Sequence, residues 1–278
     1  MNSLDADKEN LELNRQWWDE RVLTHMRSRM YRRMLMDVQS RQHCLDEEHV
    51  ERMGPVRGKS LLHLQCHMGL ETLSWARLGA EATGVDFSLH AINVATEYGR
   101  ALQTPARFVC ANVYDVPEAL PEQFDIVFVS VGSICWLPDI WRWAKVVSRM
   151  LKPGGKLYME EVHPFADVLE AHPTEPRLVV RNPYFHEEGI LMEEGGTYAD
   201  PGATFQHNTT VMWTHPIGRV INALIDRGMV IRSLDETATC AWPRFKQMVQ
   251  INANQFDLPE PLAGKLPMMY TLVAEKGI

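Results

Sequence analysis

The sequence predicts an α/β fold with a doubly wound, mostly parallel sheet, and three observations carry that prediction. From residue 60 onward, short apolar runs alternate with amphipathic segments. Chain breakers stand between them at Gly79, at Lys152-Pro153-Gly154-Gly155 and at Gly228. The run Phe124 to Val131 is apolar at nearly every position, as a strand buried on both faces must be. This alternation implies right-handed crossovers with helices on both faces of the sheet.

The elements follow in order. Residues 10 to 34 read as one helix, because Leu11, Trp17, Trp18, Val22, Met26, Met30 and Met34 recur at three-to-four spacing. A shorter helix covers Asp46 to Met53 and is closed by Gly54-Pro55. Ser60 to Leu64 is a strand, Leu70 to Leu78 a helix, and Ala82 to Val85 a strand ending at Asp86. Ser88 can cap a helix running to Leu102. Arg107 to Ala111, Phe124 to Val131 and Lys156 to Val162 are further strands, with a helix at Ile140 to Leu151. Residues 164–213 lose the rhythm and are rich in Pro, Gly and His. A long irregular segment between core elements reads as a functional cover. The helix Ile217 to Arg227 and the strands Met229 to Leu234 and Met268 to Ala274 complete the chain.

Charge narrows the function. The 278 residues carry a net charge of -8, which argues against a broad basic face for nucleic acid. Residues 160 to 200 hold ten acids against two arginines, so this one segment accounts for the whole excess. The start, MNSLDADKEN, has no apolar stretch of signal type, and no run is long enough to span a bilayer. Five scattered cysteines fit reduced thiols better than a disulfide framework. A cytoplasmic protein without nucleic-acid or membrane partners is expected, as monomer or homodimer.

In an open α/β sheet, ligands sit beyond the carboxyl ends of the strands. The places to look are the turn His63-Leu64-Gln65-Cys66-His67-Met68-Gly69 and the strand end Gly84-Val85-Asp86. An acid at that strand end suits a ribose diol, which a carboxylate can accept from twice. With "GVDFSLHAI", "CANVYDVPE", "FDIVFVSVG" and "MLKPGGKLYMEE", these stretches resemble class I S-adenosylmethionine-dependent methyltransferases of small-molecule type. The resemblance is good over residues 55 to 163 and looser over 215 to 276. It implies a Rossmann-like sheet with one antiparallel strand near the C-terminus, from the pair at Met229 to Leu234 and Met268 to Ala274. It divides the chain into a helical N-terminal cover (1–54), a cofactor-binding core (55–163), an inserted substrate lid (164–213) and the C-terminal part of the core (214–278).

By the same resemblance, Asp86 holds the ribose hydroxyls of S-adenosylmethionine and Phe87 packs by the adenine. Asn112 and Val113 meet the adenine edge, while Ser130 and Gly132 lie near the methionyl end. "NRQWWDERVLTH" resembles the helical cover of small-molecule members, and His25 and Tyr31 there are candidate partners for the cofactor carboxylate. The first motif departs from the family: His63 stands for its acid, Gln65 and His67 for two of its glycines, and only Gly69 remains. The turn must take an altered path or use the Gln65 and His67 side chains as contacts. A nicotinamide enzyme is disfavoured, because no G-x-G-x-x-G follows the first strand. No metal is expected, since His63, Cys66 and His67 lie too close in sequence to converge in a tetrahedron.

Methyl transfer asks the protein to hold nucleophile and methyl together in a dry site. His163 ends the last strand of the core and is the candidate base; the bland reading is a helix cap or lid anchor. Glu160 and Glu161 alternate faces beside it. Trp136 and, from the insert, Tyr184, His186, Tyr198 and His207 are candidate acceptor contacts. Trp17 and Trp18 read more readily as packing. The expected activity is methyl transfer to oxygen or nitrogen of a small organic acceptor, with S-adenosylhomocysteine as product. The alternative is a binding or regulatory protein that keeps the same fold. The acidic insert and the arginine-rich first helix are expected to approach each other over the pocket, steering and closing through opposite charge.

Overall fold

The computed structural model describes residues 3–172, 175, 177–193, 195–252 and 255–278. The N-terminal stretch expected as one helix is two, α1 (Ser3–Arg27) and α2 (Arg29–Arg41). Ser28 interrupts them with extended backbone and caps α2 by accepting from the Tyr31 amide. A hydroxyl that serves as an N-cap competes with helix continuation, which periodicity of apolar residues does not register. Next come α3 (Glu47–Met53), β1 (Ser60–Leu64), α4 (Leu70–Arg77), β2 (Glu81–Asp86), α5 (Leu89–Ala101), β3 (Arg107–Cys110) and α6 (Val116–Ala119). The core closes with β4 (Phe124–Val129), α7 (Ile140–Met150) and β5 (Leu151–Val162).

The insert begins with α8 (Pro164–Val168) and holds two hairpins. One pairs β6 (Leu169–Ala171) with β7 (Leu178–Val180), the other β8 (Ile190–Glu193) with β9 (Thr209–Met212). Then follow α9 (Ile217–Asp226) and β10 (Met229–Thr237), a small hairpin of β11 (Val249–Asn252) and β12 (Gln255–Asp257), and β13 (Met269–Lys276).

The main sheet has seven strands in the order β10-β13-β5-β4-β1-β2-β3. β13 alone runs antiparallel to its neighbours β5 and β10, and the other recorded pairings are parallel. This is the mostly parallel Rossmann-like sheet with one antiparallel strand near the C-terminus. Alternation along the strands divides the core in two. Leu62, Leu64, Val127 and Val129 pack with Trp143 and Val147 of α7 and Leu224 of α9. Leu61, Ile126, Phe128 and Tyr158 pack with Trp75 of α4 and Met53 of α3. Burial on both faces is why these strands read as continuous apolar runs.

Two further clusters fasten covers to this core. Val22, Tyr31 and Val38 pack on Met68, Leu70 and Ala91, seating the first two helices over α4 and α5. Ala166 of α8 packs with Cys240, Phe245, Met248, Leu258 and Met268. The stretch between β10 and β13 is therefore a second cover beside the insert, a feature the sequence pattern did not announce. The first helix is also stitched to the insert. Fully buried Asn14 donates to the Val211 carbonyl and accepts from the Val211 amide, each at 2.8 Å, so its amide imitates a strand partner for β9. Asn14→Ala strands both backbone groups, and we expect a loss of about 2–3 kcal/mol in urea denaturation with faster proteolysis in the insert. Unchanged stability would show that the stitch is dispensable.

Candidate functional site

The turn after β1 keeps a left-handed path at all three positions where the family carries glycine. Gln65 has φ 57°, His67 φ 47° and Gly69 φ 69°. Side chains in this region cost roughly 1–2 kcal/mol each, so the path persists only where neighbours impose it. Those neighbours are visible. The His67 amide donates to Asp86 Oδ2 at 2.8 Å, and Gln65 Nε2 donates to the Ser133 carbonyl at 2.8 Å. All three positions are left-handed, and the Gln65 and His67 side chains bond within the protein, to the Ser133 carbonyl and to His25. Gly69 cannot be substituted in the same way: a Cβ there would lie 2.5 Å from the Phe108 ring and 2.8 Å from Ala95.

Asp86 joins this turn to the next helix, its other oxygen accepting from the Ser88 amide at 2.9 Å. Burial pushes its acid up to about 6, against the pull of those amides. The Phe87 amide also bonds the carboxylate, which leaves about one lone pair for a ligand. Asp86, Phe87, Asn112 and Val113 line a cavity of 1730 Å³ over the carboxyl edge of the sheet, as do Gln65, Ser130, Gly132 and Trp136. The Asn112 side chain accepts from the Tyr114 amide, fixing the turn after β3. Gln65 Oε1 is buried and has no partner among the described residues. An acceptor left unmatched at a cavity wall suits a ligand that donates.

The loop after β4 is held from β5. Glu161 accepts from the amides of Gly132, Ser133 and Ile134 at 2.9, 2.6 and 2.7 Å. Gln65, Ser133 and Glu161 thus form a continuous brace from β1 to β5. On the other face, His63 sits between Thr72 Oγ1 at 2.8 Å and Ser130 Oγ at 3.0 Å. It is fully buried and outside the cavity lining, and burial drives its ring down to about 3. Next to Ser130, Glu71 lines the cavity from the first turn of α4. Burial first, then Glu160, pushes its acid up to about 7.

The covers converge on the same turn. His25 Nδ1 meets His67 Nε2 at 2.9 Å, and His25 Nε2 meets Thr197 Oγ1 of the insert at 2.6 Å. Tyr31 shares a hydroxyl hydrogen bond with Tyr198, and its ring stacks on His25 with an interplanar angle of 10°. Tyr31 and Tyr198 line the cavity; His25 stands behind them. Trp18, also on the wall, packs edge-on against both His67 and Trp136, with ring centroids 5.1 and 5.4 Å apart. The arginine-rich helix and the insert do meet, among the described residues at Arg21 and Glu20 through backbone groups and not through the expected pairing of arginine with acid. Arg21 lies between the Trp17 and Phe205 rings and donates to the carbonyls of Gly196 and His207, while Glu20 accepts from the Gln206 and His207 amides.

Other sequence candidates lie elsewhere. His163 caps α8, accepting from the Phe165 amide through Nδ1, and its Nε2 meets Glu236 at 2.7 Å. It does not line the cavity, nor do Gly69, Tyr184, His186 and His207. Tyr184 accepts from the Ile217 amide, and His207 is exposed beside Glu20. Sequence reading missed Glu71, Asp167, Arg244 and Tyr270, all on the wall. A carboxylate in the first turn of a helix that follows a ligand-binding turn was a usable signal for Glu71. Arg244 lies in the second cover and Tyr270 at the start of an antiparallel strand, and neither position carries a motif.

Residues 62–159 match the family described as "Methyltransferase domain". The "Ubiquinone biosynthesis O-methyltransferase" of Coxiella burnetii is 28% identical over 116 residues, covering 42% of this chain and 49% of that protein. The protein of the same name from Photorhabdus laumondii is 27% identical over 114 residues, covering 41% and 47%. The chain thus spans about half the length of the curated relatives it matches. Among solved structures, an S-adenosylmethionine-dependent methyltransferase from Mesorhizobium loti superposes with a TM-score of 0.57 at 22% identity, covering 80% of this chain and 93% of that one. A glycopeptide N-methyltransferase complexed with S-adenosylmethionine gives 0.51 at 18% identity, covering 82% and 91%.

The buried neutral His63 has a consequence for acid stability. A ring held at about 3 stays unprotonated in the fold while the unfolded chain takes up its proton below about 6.5. Its stabilising contribution is therefore complete above that value and lost as pH falls. Between pH 6.5 and 5, wild type should lose about 2 kcal/mol more than His63→Gln in urea denaturation. Equal pH dependence, or an NMR titration of His63 near 6.5, would refute the assignment.

Proposed function

We propose, for a chain whose residues 62–159 form a methyltransferase domain of the class I S-adenosylmethionine-dependent kind, that it methylates an oxygen or nitrogen of a small organic acceptor. The observation that carries the reading is the left-handed turn at residues 65, 67 and 69, locked to Asp86 at the edge of a roofed cavity. The relatives named for O-methylation support transfer to oxygen.

Bound S-adenosylmethionine supplies an electrophilic methyl on a sulfonium. The chain supplies the rest. Asp86 would accept from the ribose hydroxyls, with Phe87, Asn112 and Val113 around the adenine. Gln65 Oε1 and the Gly132 turn would hold the methionyl end. His25, Tyr31 and Tyr198 close the turn from above, and the one hydroxyl proton that the Tyr31–Tyr198 hydrogen bond leaves free would be a carboxylate donor. Trp18 and Trp136 keep water from the reacting centre, where exclusion strengthens every polar contact. An acceptor that must shed a proton needs a base poised near neutrality. Glu71 meets that requirement better than His163, because it lines the cavity and its acid stands at about 7.

Two measurements test the reading. Calorimetry should register S-adenosylhomocysteine binding, weakened roughly 5- to 150-fold in Asp86→Ala, the loss of about 1–3 kcal/mol expected for a charged hydrogen-bond pair. No binding at millimolar ligand sinks the proposal, and labelled-methyl assays on small-molecule extracts that find binding but no transfer favour the binding-protein alternative. With a proton-losing acceptor, turnover should rise with pH through about 7 in wild type. Glu71→Gln should flatten that limb; an intact limb would assign the proton elsewhere.

A further inference from the structure

The antiparallel direction of β13 brings its first residues, not its last, to the carboxyl edge of the parallel strands. Tyr270 pairs with Glu161 of β5 on one side and with Glu236 of β10 on the other. Its side chain is 1% exposed and lines the cavity. Its hydroxyl has no hydrogen-bond partner among the described residues. A buried hydroxyl without a partner costs about 1–3 kcal/mol, so such a group at a cavity wall implies a ligand atom that pairs with it.

The surroundings say which ligand. Glu161 is the residue that clamps Gly132, Ser133 and Ile134, the loop assigned above to the methionyl end. Asp167 of the insert and Arg244 of the second cover form an ion pair on the same wall. That pair neutralises Asp167, and Glu161 is engaged by backbone amides. Burial, then the proximity of Glu161, Asp167, Tyr184 and Cys135, holds the Tyr270 phenol far above its usual range, so it stays a neutral hydroxyl. Elsewhere on the lining of the same cavity, Trp136, Trp213, Trp242 and Phe256 are flat and apolar.

We propose that Tyr270 is a specificity-determining residue of the acceptor site, hydrogen-bonding an uncharged hydroxyl carried on a flat, apolar body beside the methyl donor. This rests on the transferase reading above, and the two can fail separately. The probe is catechol, titrated calorimetrically into protein saturated with S-adenosylhomocysteine. Wild type should bind it, and Tyr270→Phe should weaken it at least tenfold while S-adenosylhomocysteine affinity stays unchanged and Tm holds or rises, since the variant sheds an unpartnered buried hydroxyl. A Tm that does not fall separates a recognition role from a structural one, because a hydroxyl bonded within the protein would lower Tm when deleted. Equal catechol affinity in the two proteins, a matching loss of Tm, or no catechol binding at 10 mM to the loaded wild type would each overturn the inference. Failure of S-adenosylhomocysteine to bind at all would instead overturn the transferase reading beneath it and the inference with it.

Discussion

A backbone forced through three left-handed residues, two of which carry side chains, is the constraint around which this molecule is arranged. Left alone, Gln65 and His67 would favour other conformations, and the turn would open. It is held from below by Asp86, from the side by the Gln65–Ser133 hydrogen bond and from above by His25. Each strut belongs to a different part of the fold: β2, the loop after β4, and the first helix. Glu161 extends the brace to β5 through the amides it accepts. The turn, the neighbouring loop and the cover therefore move as a unit.

The roof over the cavity has an unusual construction for one chain, since three segments distant in sequence make it. The first two helices, the insert and the stretch between β10 and β13 contribute walls, and they contact each other as well as the sheet. Asn14 and Arg21 bond the first helix to the insert through backbone groups, which fixes relative position more tightly than a pair of surface charges would. The Asp167–Arg244 pair joins the insert to the second cover.

Much of the fold was legible in the sequence, because doubly buried strands and their glycine or proline stops obey local rules. The strands flanking Asp86 and the run from Phe124 read correctly for that reason. Ser28 did not, since the break between α1 and α2 depends on a cap rather than on apolar spacing. The wall around Asp86, Phe87, Asn112 and Val113 was legible through family order and spacing, and these residues do share one cavity. His63 occupies the frame of a ligand-facing acid but points into a hydrogen-bonded core, a distinction only its neighbours Thr72 and Ser130 decide. Tyr270 and Arg244 were invisible because their importance comes from chain direction and from a cover built by long-range packing.

The surviving glycine separates two duties that a glycine motif usually merges. At residues 65 and 67 the requirement is angular, and a side chain meets it once other atoms hold the backbone in place. At residue 69 the requirement is clearance, since Phe108 and Ala95 already occupy the space a Cβ would take. Gly84 belongs with it, because a Cβ there would meet Cys66 Sγ at 2.8 Å. Angle is negotiable and volume is not. A glycine-poor motif should therefore be judged by which of its glycines have been lost, and a chain that keeps those pressed against its neighbours has kept the shape of the pocket.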